Sequence, residues 1–219
     1  MTRHYLSRKP NVRFCGFATT GPELWRKNGS VPFTRLIRRN DAAAIAELLN
    51  RGREFMAPTE PDRDESFYTV EGQLQIIGVA LTEQQAGIRL PHVILDDDGG
   101  VVGRATLNEI VRGPLQSASL GYYVDGRRNG RGFASRATAE MVSIAFGELG
   151  LHRVQACTQL DNLASQRVLV KNGFRQYGYA PEYLLLAGQW RDEVLFQRLA
   201  TDRVDGQAPD YPRSAITRP

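Results

Sequence analysis

Apolar positions along the chain recur first every second residue, then every third and fourth, and the period switches repeatedly. TRLIRR (34–39) reads as a short strand. Asn40 or Asp41 then offers a cap for AAAIAELLNRG, where Ile45, Leu48 and Leu49 form one stripe and Gly52 reads as a stop. Beyond Pro58 and Pro61, a longer helix is expected from about 64 to 86, with Phe67, Val70, Leu74, Ile77 and Leu81 at helical spacing. PHVILD (91–96) and VVGRATLNEIV (101–111) are strands joined by DDGG, a hairpin signal, and ASLGYYV (118–124) is a third. A helix to about Leu149 places Phe133, Ala137, Met141, Ala145 and Leu149 on one face. HRVQACTQL (152–160) is a strand, and DNLASQRVLVKNG (161–173) a short helix stopped by Gly173. FRQYGYAPEYLLL and WRDEVLFQRL are two strands around AGQ. The order βααβββαβαββ predicts an α/β (α+β) domain, a mixed sheet flanked by helices.

The ends have a different texture. Residues 1–30 contain Pro10, Gly16, Gly21, Pro22 and Gly29 without sustained periodicity, and 201–219 are proline-rich with little to bury. A domain over 31–200 between an extension and a loose tail is the expectation. No run of 18 apolar residues is present and the first residues lack a secretory core, so neither membrane insertion nor export is expected. Two cysteines, Cys15 and Cys157, make no disulfide framework and point to the cytoplasm. Charge is uneven: residues 1–40 hold nine Arg/Lys against one acidic residue, Glu23, while the whole chain is only +4. A basic arm on a mildly acidic body suits contact with RNA or a ribosome surface. Compositional drift toward arginine, 25 against three lysines, explains the same count without a partner.

The chemistry concentrates in DGRRNGRGFAS (125–135), between a strand and a helix. A triphosphate loop needs Lys-Ser/Thr after its last glycine, but Phe133 follows Gly132. A dinucleotide fingerprint needs a βαβ start, whereas the upstream strands form a hairpin and Ser135 takes the third glycine's place. Arg127, Gly130 and Gly132 satisfy a third pattern, Arg/Gln-x-x-Gly-x-Gly/Ala, in which backbone N–H groups and a helix N-terminus face a pyrophosphate. Alone, that pattern is equally a glycine-rich helix entry with no ligand.

With LGYYVDGRRNGRGFAS, LGLHRVQACTQLDNLASQRVLVKNGF and PEYLLLAGQWRDEVLFQRL, the span from Ile37 to Leu199 resembles the GNAT superfamily of acetyl-CoA-dependent N-acetyltransferases. Residues 119–199 resemble especially the branch that acetylates N-terminal alanine of ribosomal proteins. The resemblance implies a largely antiparallel GNAT sheet and acetyl-CoA as donor; no metal is expected from the residues themselves. It implies that Arg127, Arg128, Asn129, Gly130, Arg131 and Gly132 hold the pyrophosphate, and that the backbone of Tyr122, Tyr123 and Val124, splayed from the next strand, pairs with the pantetheine arm. It further implies that Asn162 bonds the arm and that Ser165 lies near the sulfur, where a hydroxyl suits protonation of a thiolate of pKa about 8.5. Helix capping accounts for both residues without catalysis. Glu182 in APEY matches the acidic residue to which the branch assigns the amine's proton. Its strand is otherwise apolar (Tyr179, Tyr183, Leu184, Leu185), so burial would raise its pKa. A rim glutamate paired with Arg175 or Arg191 is the competing reading.

Acceptor contacts are expected from REFMAP (53–58), at Glu54, Phe55 and Met56, and from Tyr183 and Trp190 on the last hairpin, which Asp192 helps shape. His4, His92 and His152 lack ligand spacing, and Cys157 has no histidine partner. The leading expectation is acetyl transfer to a protein N-terminus, ribosomal or similar, by a monomer or homodimer. A small-amine or antibiotic acetyltransferase uses the same catalytic half. A non-catalytic acyl-CoA sensor or RNA-docking domain is opposed by Ser165 and Glu182 occurring together.

Overall fold

The structure, a computed structural model, describes residues 32–202. The basic extension with Cys15, and the tail after 202, lie outside the described residues. Seven strands form one sheet: β1 (Thr34–Leu36), β2 (Leu90–Leu95), β3 (Val101–Val111), β4 (Ser117–Val124), β5 (Arg153–Gln159), β6 (Arg175–Leu186) and β7 (Gln189–Leu199). Their spatial order is β1-β2-β3-β4-β5-β7-β6, antiparallel throughout except for the parallel β4–β5 pair. Four helices are interleaved: α1 (Ala42–Met56), α2 (Val70–Gln85), α3 (Phe133–Gly147) and α4 (Leu163–Lys171).

Strand alternation sorts the core onto two faces. Ala105, Leu107, Leu120, Val154 and Phe196 are buried together with Phe133, Ala137, Met141 and Ala145 of α3 and Leu169 of α4. On the other face, Val93 and Leu95 pack with Ile45 and Leu49 of α1 and Ile77 of α2.

Three local expectations fail for local reasons. Gly52 does not stop α1, which runs one turn further to Met56. A Cβ at Gly52 would lie 2.2 Å from Tyr123 Oη, so this glycine marks a close helix–sheet approach. The second helix starts at Val70 rather than near 64. Thr69 is its extended N-cap and accepts from Gly72 N–H at 3.0 Å. Glu65–Tyr68 form a separate 3₁₀ turn that still docks Phe67 and Tyr68 on the α1–α2 cluster, which is why they fit the stripe. Asp41 does not cap α1 with its side chain; Arg35 donates to its carboxylate at 2.7 and 2.8 Å, and Arg38 N–H at 2.7 Å.

Candidate active site

β4 and β5 pair only where Ser117–Ser119 face Arg153–Gln155. On its other edge β4 stays paired with β3 as far as Val124, opposite Gly103. The sheet therefore opens as a wedge beside Tyr122, Tyr123 and Val124. At its wide end the chain turns through Asp125, whose carboxylate accepts from Arg127 N–H at 3.0 Å. Gly130 and Gly132 then take φ of 77° and 82°, in the left-handed region, with no atom within 4 Å of an added Cβ. Gly132 is the N-cap of α3 and supplies no side chain to cover the first-turn N–H groups. A bare helix N-terminus with close backbone access suits an anion.

The wedge continues into a cleft of about 800 Å³. Gly130, Gly132, Asn129, Asn162 and Ser165 line it. The arginines divide. Arg128 lines the cleft while donating to Asp96 at 3.2 Å. Arg127 is exposed and folds back on Asp125 at 3.2 Å, and Arg131 is exposed and outside the lining. Burial alone would raise Asp125, yet Arg127 holds its carboxyl below the usual range. Two cations absent from the sequence-derived candidates, Arg167 and Lys171, do line the cleft. Their signal is legible afterwards: 167 and 171 are four apart on α4, on the side that follows Asn162.

Asn162 caps α4, accepting from Ser165 N–H at 3.0 Å, and lines the cleft as well. Ser165 Oγ is 2.7 Å from Tyr122 Oη. Burial pushes the Tyr122 hydroxyl up to about 12, the Ser165 bond opposing it. The side chain of Tyr122 thus links the strand edge to the helix.

The acidic residues are distributed differently from expectation. Glu182 is exposed, at φ 46° inside a bulge between Ala180 and Leu184, with its N–H donating to Asp192 at 2.8 Å. Glu182 is therefore not the buried carboxylate expected of it: β6 is an edge strand of the sheet and its apolar neighbours Tyr179, Tyr183 and Leu185 are exposed too. Neither Arg175 nor Arg191 makes a salt bridge with it. The carboxylate that the last hairpin buries is Glu193 on β7, 2% exposed. Burial pushes it up to about 7, with the Cys157 thiol as a hydrogen-bond partner that opposes the rise. Burial, then the Glu193 charge, pushes Cys157 up to about 12, an unreactive thiol. Glu193 lies directly opposite Gln159, whose amide donates to Pro58 O at 3.1 Å at the cleft wall.

Among the expected acceptor contacts, Phe55 and Met56 line the cleft, Phe55 beside Gly126 at the loop. Glu54, Tyr183 and Trp190 are exposed and outside that lining. The last hairpin reaches the α1–α2 connection instead through its turn, where Ala187 N–H donates to Glu60 O at 3.0 Å.

Residues 33–175 match the acetyltransferase (GNAT) domain family. The chain is 33% identical over 179 residues to a probable N-acetyltransferase, YjcK, of Bacillus subtilis, covering 80% of this chain and 97% of that one. It is 30% identical over 174 residues to the ribosomal protein uS5-alanine N-acetyltransferase of Escherichia coli, covering 79% and 90%. The Mycobacterium smegmatis RimJ structure, in complex with CoA-disulfide, superposes with a TM-score of 0.74 at 34% identity, covering 76% of this chain and 81% of that one.

Proposed function

Because the chain belongs to the GNAT acetyltransferase family and uses acetyl-CoA as donor, we propose that it acetylates the N-terminal α-amino group of a ribosomal or similar protein. The observation that carries this reading is the wedge whose wall joins Tyr122 to Ser165 beside the bare N-terminus of α3, in a chain related over most of its length to a ribosomal-protein acetyltransferase.

Acetyl-CoA supplies a thioester whose carbonyl carbon an uncharged amine attacks and whose thiolate departs. The chain supplies the rest. Backbone N–H groups at Gly130–Gly132, with Arg128, Arg167 and Lys171, hold the pyrophosphate, and the free edge of Tyr122–Val124 holds the arm. Ser165 Oγ carries a proton for the thiolate. Tyr122 Oη, 2.7 Å away, orients that hydroxyl.

The amine must lose one proton. Glu182 takes it in this reading, through water, since its carboxylate is exposed. A second reading assigns it to Glu193, favoured by burial and a pKa of about 7 near the cleft wall. Rate–pH profiles of Glu182→Gln and Glu193→Gln separate them: the variant that loses the acidic limb of kcat/KM, at near-normal acetyl-CoA affinity, identifies the base. The basic residues 1–40 serve ribosome contact in this reading, so removing 1–30 should weaken salt-sensitive RNA binding.

The decisive measurement is free-thiol release from acetyl-CoA with peptides beginning Ala, Ser or Met beside a panel of small amines. Turnover on peptides supports the proposal. Turnover on small amines alone replaces it with metabolite or antibiotic modification, and acetyl-CoA binding without turnover replaces it with a sensor.

A further inference from the structure

A second cavity, about 500 Å³, opens on the α1–α2 face of the sheet and shares only Tyr122 and Tyr123 with the cofactor cleft. It therefore lies across the β4 edge from the place where the thioester is held. Its wall contains three arginines, Arg63, Arg89 and Arg104, and one carboxylate, Glu60. Their donors are unequally engaged. Arg89 donates to Asn108 at 2.9 Å and forms an ion pair with Glu83 at 2.8 Å. Arg63 is 3.4 Å from Glu60 and stacks over Phe67 at 4.7 Å.

Arg104 is different. It sits mid-strand on β3, between Val93 and Tyr123, half-buried, and makes no hydrogen bond or ion pair with any described residue. Burial lowers its pKa, and the nearby charge of Glu60 opposes that while Arg63 and Arg89 add to it. Its cross-strand neighbour Tyr123 carries a buried hydroxyl that also lacks a partner. A guanidinium offers five donors in a fixed fork, and leaving it half-buried beside two other cations is costly unless an acceptor arrives. Water would satisfy the tyrosine. The excess positive charge calls for an anion, and a planar fork fits a carboxylate bidentately.

We propose that this cavity is a carboxylate pocket of the acceptor site: it takes an acidic side chain just after the acceptor's terminal residue, with Arg104 as its bidentate partner and Arg63 at the mouth. The proposal rests on the peptide-acceptor reading above and adds a specificity to it. The reach is short, because Tyr122 and Tyr123, which border both cavities, are consecutive on β4, and Tyr123 is the cross-strand partner of Arg104.

Two measurements test it. With Ala-Glu-Glu-initial and Ala-Gln-Gln-initial peptides, kcat/KM should favour the acidic one about tenfold at low salt, less as salt rises. Arg104→Gln should bring the two within about twofold without changing the KM for acetyl-CoA, and Arg63→Gln, on an exposed loop residue whose loss does not threaten folding, should narrow the gap in part. Independently of turnover, calorimetry on the CoA-saturated enzyme should show the acetylated acidic tripeptide binding about tenfold tighter than its Gln counterpart, a difference lost in Arg104→Gln and reduced in Arg63→Gln. That binding result would support the pocket even if no peptide were acetylated, which would count against the acceptor reading alone. Equal affinities, or a preference untouched by both substitutions, overturn the proposal. Free alanine preferred over both peptides also overturns it, since a free amino acid's own carboxylate would then be the occupant.

Discussion

Gly52 and Tyr123 share one volume. A Cβ at Gly52 would lie 2.2 Å from Tyr123 Oη and 3.3 Å from its Cζ, so a side chain there forces the phenol out of its place between the two clefts. Gly52→Ala gains about 1 kcal/mol of helix propensity, against an overpacking cost of about 1–3 kcal/mol. The net expectation is a lower Tm. In a Tyr123→Phe background the closest atom is gone, and the same Gly52→Ala change should raise Tm; calorimetric melts of the four proteins check the reversal. From the sequence this glycine reads as a helix stop, because the residue that requires it is 71 positions away in the chain. Ser165 and Asn162 were readable one by one as a cap and a hydroxyl. Tyr122 as the partner of Ser165 was not, since strand periodicity reports which face a side chain takes and not what it meets there.

At the level of elements, the loop at 125–132 and α3 form one device: a turn fixed by Asp125, two glycines in the left-handed region, and an uncapped helix end. Gly130→Glu puts a carboxylate where an anion belongs, on a backbone that costs a side chain about 1–2 kcal/mol. Acetyl-CoA affinity measured by calorimetry should fall at least about a hundredfold, and more than for Gly130→Ala, which carries the strain without the charge. Unchanged affinity for the glutamate variant would remove the loop from the binding site. This device was legible in advance because every part of it is within ten residues of the next. The start of α2 was not: Phe67 fits the helical stripe, and only the extended Thr69 reveals the break.

Across the molecule, two buried titrating groups oppose each other. His92, bonded to Thr34 Oγ1 at 3.0 Å, is held down to about 4 by burial and the Arg35 charge. Its folded-state pKa lies below its ordinary 6.5, so its contribution to stability is complete above pH 6.5 and is lost as pH falls toward 4. Glu193 is raised from 4.5 to about 7, so its contribution is complete below 4.5 and is lost as pH rises toward 7. The slopes largely cancel between them. Glu193→Gln should therefore be more stable than the parent at pH 8 and should lose stability on acidification from 6.5, whereas His92→Gln should gain stability on acidification from 7. Differences in melting temperature against the parent, taken at pH 5 to 8, isolate these slopes from every other titration.

The sequence by itself determined the order of strands and helices, the anion-binding loop and the family, since periodicity, glycine placement and short motifs are properties of neighbouring residues. Only the tertiary structure decided which acid is buried and where the excess cations gather. Glu182 and Glu193 stand 11 residues apart on consecutive strands, but one falls on a bulged edge and the other on an interior strand. Arg63, Arg89 and Arg104 look like three unrelated surface charges until β2, β3 and α2 fold them around one cavity. Burial and electrostatic sums depend on distances through space, and those are fixed only when the sheet has closed its register.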